Sequence, residues 1–141
     1  MKSATLLWIA FGVIVFHIVG HAMGHFTWKD TEDVKLLSII QDMYSHQFDF
    51  MGKQQTLGGH HDGYSLLFGI MLVTFAALTW MIARSLNHNS QLKSILLVTG
   101  LALIVCGIVE TIYFFALAGG SSLLAGILQT VVYFKEGSVG K

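Results

Sequence analysis

The sequence has no proline and one cysteine, Cys106, and charged residues occupy only 11% of its 141 positions. Without proline no helix needs a proline kink, so straight helices are expected. A lone cysteine cannot close a disulfide within the chain, cannot share a metal ion with a second thiolate, and excludes haem attachment through a Cys-x-x-Cys-His motif. We interpret Cys106 as a small buried apolar residue.

An excess of one charge is also missing, because eight Lys and Arg residues balance eight Asp and Glu residues. The absence of a basic excess argues against nucleic acid as a partner. Hydrophobic residues make up 54% of the chain, and the charged fraction is far below the roughly 25% of soluble proteins. The composition therefore predicts one integral membrane domain, residues 1–141, whose partner is the lipid bilayer.

Apolar runs define the predicted helices, since crossing a bilayer takes about 20 apolar residues. Four runs approach or reach that length, at residues 5–26, 64–82, 95–117 and 121–134. The fourth is short, about 21 Å at about 1.5 Å per residue, and follows a turn signal at residues 118–121; an earlier turn would lengthen it. The fold prediction is an all-α, up-and-down four-helix transmembrane bundle, with three spans and a re-entrant end as the alternative.

The only long connection, residues 27–63, is predicted to face outward. Apolar residues recur in it at three- and four-residue spacing from Leu36 to Met51, which indicates an extra amphipathic helix. Asp30 or Thr31 can cap its start, and residues 54–59 are expected to unwind the chain. We expect this helix to lie along the outer membrane surface or over the mouth of the bundle.

Basic residues near the span ends predict the orientation, because Lys and Arg resist translocation. With four spans the larger group falls on one side: Lys2, Arg84, Lys93, Lys135 and Lys141. That side is predicted to be the cytoplasm, which places both termini there. The first apolar run is longer than the apolar core of a signal peptide, so we interpret it as a retained helix.

Histidines are the informative polar residues, and five of the seven lie near the outer ends of the first two spans. His17, His21 and His25, four residues apart, share an arc of about 80° on one helix face. Gly20 and Gly24 beside that arc are spaced to admit a close neighbouring helix, so the stripe is predicted to face the bundle. His60 and His61 arrive at the same depth at the start of the second span. The remaining two, His46 and His88, are expected to be solvated.

Glu110 is the only acidic residue well inside a predicted span. An ionisable group there costs at least about 2.5 to 3.5 kcal/mol, so it is expected to face the interior with a partner. His17 and His21 are the nearest candidates by depth. Three further residues are predicted to complete the lining: Tyr113, Gln129 and Thr130.

These side chains predict an outward-facing site for a transition-metal ion or a small lipid-like ligand. Neutral imidazole suits Zn, Cu and Fe, and a carboxylate supplies a further ligand or fixes the imidazole tautomer. The predicted metal ligands are His17, His21, His25, His60, His61 and Glu110. The predicted cofactor-binding residues are His17, His21, His60 and His61.

Three other functions stay open, and the sequence assigns no catalytic residue. Histidines from two helices can ligate haem b, or the pocket can hold a quinone, in a redox subunit of a membrane electron-transfer complex. Histidines and a carboxylate can also relay protons. Alternatively, the chain is a structural accessory subunit that packs against other membrane subunits or copies of itself. A zinc hydrolase is disfavoured, because Ile18 and Ala22 rather than Glu follow the first two histidines.

Two segments carry a family resemblance, Phe48-Asp49-Phe50-Met51-Gly52 and His60-His61-Asp62-Gly63-Tyr64-Ser65-Leu66. Together with the layout of one helix, a long outward loop and three close-set helices, the chain resembles a family of small uncharacterised bacterial four-helix membrane proteins, broadly DoxX-like. The resemblance implies a bacterial inner (plasma) membrane location. It transfers no activity.

Overall fold

The computed structural model describes residues 2–85 and 91–138, so His88 and Lys141 lie outside the described residues. Within those ranges the chain forms five helices and one hairpin. In chain order these are α1 (Ser3–Thr27), α2 (Val34–Ser45), β1 (Gln47–Phe50), β2 (Lys53–Thr56), α3 (Leu57–Ser85), α4 (Gln91–Tyr113) and α5 (Ala116–Ser138). By length and composition α1, α3, α4 and α5 can each cross a membrane, as expected of a multi-pass membrane protein.

The connection between α4 and α5 differs from the sequence prediction. Residues 118–121 lie inside α5 rather than in a turn, and the chain reverses earlier, at Phe114 and Phe115, as in the alternative that the sequence left open. Glycine at 119 serves packing rather than a turn, because a Cβ built on it would lie 2.7 Å from the Gly107 carbonyl oxygen of α4. The earlier reversal gives the fourth apolar helix enough length to cross the membrane.

The chain divides into two compact units. The first comprises Met1–Gly20 and Leu72–Lys141, and the second is His21–Met71. Helices α1 and α3 are continuous and contribute residues to both units.

The first unit has a core built from all four long helices. One buried cluster contains Leu7, Ile82, Ala83, Leu96 and Val132, and the other contains Ala10, Ile14, Ala76, Leu103 and Ala125. Glycines bring α4 and α5 into close contact: Gly107 packs opposite Gly119, and Gly100 packs opposite Gly126.

The close helix approach predicted at Gly20 and Gly24 is wrong for the described part of the chain. Beyond the neighbouring backbone of α1, no described atom lies within 4 Å of a Cβ built at either position. Small residues do bring helices together in this protein, as the spacing argument assumes, but they do so between α4 and α5.

In the second unit, α2 begins after an N-cap that the sequence prediction misplaced. Asp33 Oδ1 accepts hydrogen bonds from the backbone N–H groups of Lys35 and Leu36, at 2.9 and 3.1 Å. Asp30 and Thr31 are therefore not the cap, although the Thr31 hydroxyl oxygen accepts from the Asp33 N–H at 3.2 Å. A short acidic side chain in extended backbone suits this position.

The helical spacing that continued to Met51 predicted too long a helix, because α2 ends at Ser45 and a β-hairpin follows. Strands β1 and β2 pair antiparallel through a two-residue turn at Met51 and Gly52, which have φ angles of 55° and 83°. Two positive φ angles are typical of the tight turn that matches strand twist. Helix α3 then starts at Leu57, so the unwound segment predicted at residues 54–59 is strand and helix instead.

Candidate functional site

The six predicted site residues divide between the two units. His17 and Glu110 belong to the first unit, and the other four, His21, His25, His60 and His61, belong to the second. Each group has its own geometry.

His17 and Glu110 are in contact in the first unit. His17 Nε2 lies 3.6 Å from Glu110 Oε1, and the two residues are only 7% and 3% exposed. This is the pairing that the depth argument predicts. Among the described residues, neither carboxylate oxygen of Glu110 has a hydrogen-bond partner.

The other nitrogen of His17 faces two serines of α5. Nδ1 lies 3.0 Å from Ser121 Oγ and 3.1 Å from Ser122 Oγ, and both serines are buried. Sequence reasoning missed them, because it placed Ser121 in a turn and at the edge of a helix. Two adjacent hydroxyls in an apolar helix were the available signal.

The three residues predicted to complete the lining lie elsewhere. Tyr113 is 76% exposed at the end of α4. Gln129 is fully buried and donates to Thr79 Oγ1 at 2.8 Å, while Thr99 donates to Gln129 Oε1 at 2.7 Å. The Thr130 hydroxyl donates to the Gly126 carbonyl of its own helix. Gln129 therefore belongs to a separate network that joins α3, α4 and α5.

Asp62 is the polar centre of the second unit. Its Oδ2 accepts from Lys29 Nζ at 2.9 Å and from the Tyr44 hydroxyl at 2.5 Å, and its Oδ1 accepts from Trp28 Nε1 at 3.2 Å. Lys29 Nζ also lies 4.5 Å from the centre of the Tyr44 ring. The sequence analysis did not identify Asp62 as a site residue, since its partners lie 18 to 34 residues away along the chain.

Two groups around Asp62 have shifted pKa values. A hydrogen bond with Tyr44, followed by the one with Asp62, raises the pKa of Lys29 above 10.5. Burial, followed by the hydrogen bond to Asp62, raises the pKa of Tyr44 above 10.0. Both shifts keep protons on the groups that face the Asp62 carboxylate.

His21 and His25 both contact Ser65 of α3. His21 Nε2 donates to the Ser65 carbonyl oxygen at 2.8 Å, and His25 Nδ1 lies 2.8 Å from Ser65 Oγ. Gly69 lies beside the His21 ring, and a Cβ there would make an ordinary contact with His21 Cδ2 at 3.4 Å. A nitrogen that donates to a carbonyl carries its own proton, so His21 Nε2 is not available as a metal ligand in this arrangement.

His60 and His61 make aromatic contacts. The His60 ring centre lies 5.7 Å from Phe48 and 5.4 Å from Phe50 of the hairpin. The His61 ring centre lies 4.2 Å from Trp28, and its Nδ1 lies 3.8 Å from Asp62 Oδ1. Across residues 2–85 and 91–138, no three His, Cys, Asp or Glu side chains are grouped so that they could hold a metal ion. His46 is exposed, as predicted.

A cavity of about 300 Å³ opens beside the Asp62 group in the second unit. It is lined by His25, Phe26, Lys29, Asp62, Gly63 and Leu66. Its apolar wall is open to the surroundings, since Phe26 is 77% exposed and Leu66 is 58% exposed. The pocket thus combines a charged pair and an imidazole with an unshielded apolar surface.

No protein-family model, curated protein or solved structure matches this chain.

Proposed function

We propose that this chain is a multi-pass membrane protein that binds the polar head of a small lipid-like ligand in the cavity beside Asp62, which we call the headgroup pocket. The observation that carries the proposal is the composition of that cavity: Lys29 and Asp62 face the same space as Phe26 and Leu66. An amphiphile needs that combination, because its head requires hydrogen-bonding partners and its tail requires apolar contact.

The charges favour a zwitterionic head. Lys29 Nζ can donate to an oxyanion, and the Asp62 carboxylate can accept from an ammonium. Binding of a phosphoethanolamine group would therefore replace the ion pair between Lys29 and Asp62 with two ion pairs to the ligand. The Lys29 and Asp62 side chains are 44% and 32% exposed, so separating them costs little. The tail then lies against Phe26 and Leu66.

The membrane arrangement completes the proposal. The four long helices cross the inner membrane of a bacterium in an up-and-down bundle, with both termini in the cytoplasm and the headgroup pocket at the outer surface. Helix α2 is the amphipathic helix: Ile40 is buried, whereas Leu36, Leu37 and Ile39 are 43%, 39% and 48% exposed and contact lipid.

Trp28 provides the test, because its indole donates to Asp62 at the pocket. With Trp8→Phe and Trp80→Phe as the background, fluorescence of the remaining tryptophan is titrated with short-chain phosphatidylethanolamine in detergent. We expect saturable quenching or enhancement, weakened at least about tenfold by Lys29→Gln or Asp62→Asn, as loss of a charged hydrogen bond predicts. Lys53→Gln, an exposed lysine in the hairpin of the same unit, is the matched control and should bind like the parent.

The other functions give different outcomes in the same preparation. Equal binding by the parent, Lys29→Gln and Asp62→Asn would refute the headgroup pocket. Saturable binding of a short-chain quinone alone would favour a quinone-binding redox subunit, and a Soret band would favour haem b. Stoichiometric Zn, Cu or Fe by elemental analysis would favour the metal site. The structural-subunit reading predicts no saturable binding of any of these.

A further inference from the structure

Glu110 is a buried carboxyl group that faces His17. It lies on α4, is 3% exposed, and both of its oxygens lack a hydrogen-bond partner among the described residues. An ionised carboxylate in such surroundings is strongly disfavoured unless a counter-charge or a proton accompanies it. The facing atom is His17 Nε2, at 3.6 Å from Oε1.

The serines fix which nitrogen of His17 carries a proton. The Ser121 hydroxyl donates its only hydrogen to the Ala118 carbonyl oxygen at 2.7 Å. Ser121 Oγ can therefore only accept at its 3.0 Å contact with His17, so Nδ1 is the donor. Ser122 Oγ, 3.1 Å from the same nitrogen, supports that orientation of the ring.

When Nδ1 carries the proton of a neutral imidazole, the Nε2 lone pair faces the lone pairs of the Glu110 carboxylate, and the two repel each other. One added proton removes this conflict. It resides on Nε2, giving an imidazolium opposite a carboxylate, or on Oε1, giving a neutral imidazole opposite a carboxylic acid. Either arrangement is neutral overall and provides a donor across the 3.6 Å gap.

We infer that His17 and Glu110 form a binding site for one proton inside the membrane-spanning helices of the first unit. Binding forms one N–H or O–H bond, takes the proton from water and moves no electrons. The site is separate from the headgroup pocket, which belongs to the other unit. It therefore adds proton uptake and release to the proposed ligand binding without depending on it.

The other charged residues that the structure describes in the first unit lie at or next to helix ends: Lys2, Arg84, Lys93, Lys135 and Glu136. Within residues 2–85 and 91–138, no third potential metal ligand is grouped with His17 and Glu110. On α4 the half-buried Cys106 thiol, one turn before Glu110, interacts electrostatically with it. Helix α5 contributes the two serine hydroxyls, and the part of α3 in this unit carries one charged residue, Arg84, in the last turn of that helix. The bound proton therefore resides mainly on the His17 imidazole or on the Glu110 carboxylate.

The test counts protons on the full chain in lipid nanodiscs at neutral pH. Magnetic resonance of isotope-labelled histidine distinguishes imidazolium from neutral imidazole, with His17 assigned from a His17→Gln sample. Infrared spectroscopy detects a protonated carboxyl group. We expect one of the two signals, an imidazolium at His17 or a carboxylic acid at Glu110, at about one per chain.

Glu110→Gln should abolish whichever signal is present, because its amide can donate to Nε2 without an added proton. Glu136→Gln is the control: this carboxylate also lies in the first unit, where it accepts from the Ser3 hydroxyl, and its loss should leave the signal unchanged. The inference would be overturned if the wild type showed neither signal or showed both together. It would also be overturned if the signal persisted in Glu110→Gln. The absence of both signals from the wild-type spectra overturns the inference even where a variant fails to fold.

Discussion

The Tyr44 hydroxyl donates a 2.5 Å hydrogen bond to Asp62, and this bond joins α2 to the first turns of α3. Tyr44→Phe removes the bond and leaves the ring. We expect α2 to open more easily by about 1 kcal/mol, which is roughly fivefold faster amide hydrogen exchange across Val34–Ser45. Tyr113→Phe, whose ring is 76% exposed on α4, should leave exchange in α2 unchanged.

The same bond predicts a loss of stability at alkaline pH. The pKa of Tyr44 is raised above 10.0 in the folded protein, so its stabilisation is complete below pH 10.0 and is lost as pH rises through the raised value. Lys29, whose pKa is raised above 10.5, acts in the same direction. The protection of α2 amides, taken relative to the base-catalysed intrinsic exchange rate, should therefore fall above about pH 10. The fall should be smaller in Tyr44→Phe; an equal fall in both proteins would contradict a role for the phenol.

The long helices and one contact of the site were predictable from sequence. A run of apolar residues determines a membrane-length helix almost alone, and α1 agrees with the predicted span to within two residues at each end. The contact between His17 and Glu110 also followed, because depth along two helices limits which polar residues can meet.

The features that the sequence did not predict depend on tertiary packing. The glycines of α5 carried a turn signal locally, but contact with α4 favours helix there. The partners of Asp62 lie on α2 and on the segment between α1 and α2, and no local spacing in the sequence indicates such contacts. The hairpin turn places Met51 at a positive φ, a position that sequence rules assign to glycine, asparagine or aspartate.

The Gln129 network predicts a measurable coupling between helices. Gln129 donates to Thr79 of α3 and accepts from Thr99 of α4. A double-mutant cycle with Gln129→Leu and Thr79→Val should give a coupling energy near 0.6 kcal/mol and below about 2 kcal/mol, as for other hydrogen bonds between membrane helices. Unfolding in mixed detergent measures it. Thr130→Val in place of Thr79→Val should give no coupling, since that hydroxyl bonds within α5.

Neighbouring glycines at the start of α5 give the sharpest test of its packing. A Cβ at Gly119 would lie 2.7 Å from the Gly107 carbonyl oxygen and 2.8 Å from the Thr111 nitrogen, both backbone atoms that cannot rotate away. Gly119→Ala should therefore push α5 from α4 and destabilise the protein by about 1 to 3 kcal/mol. Thermal or detergent unfolding reports the loss.

Gly120→Ala is the matched control, since nothing lies within 4 Å of a Cβ there. It should be neutral or stabilise by up to about 1 kcal/mol, because alanine is the better helix former. Ser121 and Ser122 follow directly on α5, so the displacement in Gly119→Ala should also loosen their contacts with His17 Nδ1, whereas Gly120→Ala should preserve them. Equal stabilities for the two variants would mean that α5 does not pack against α4 through Gly119.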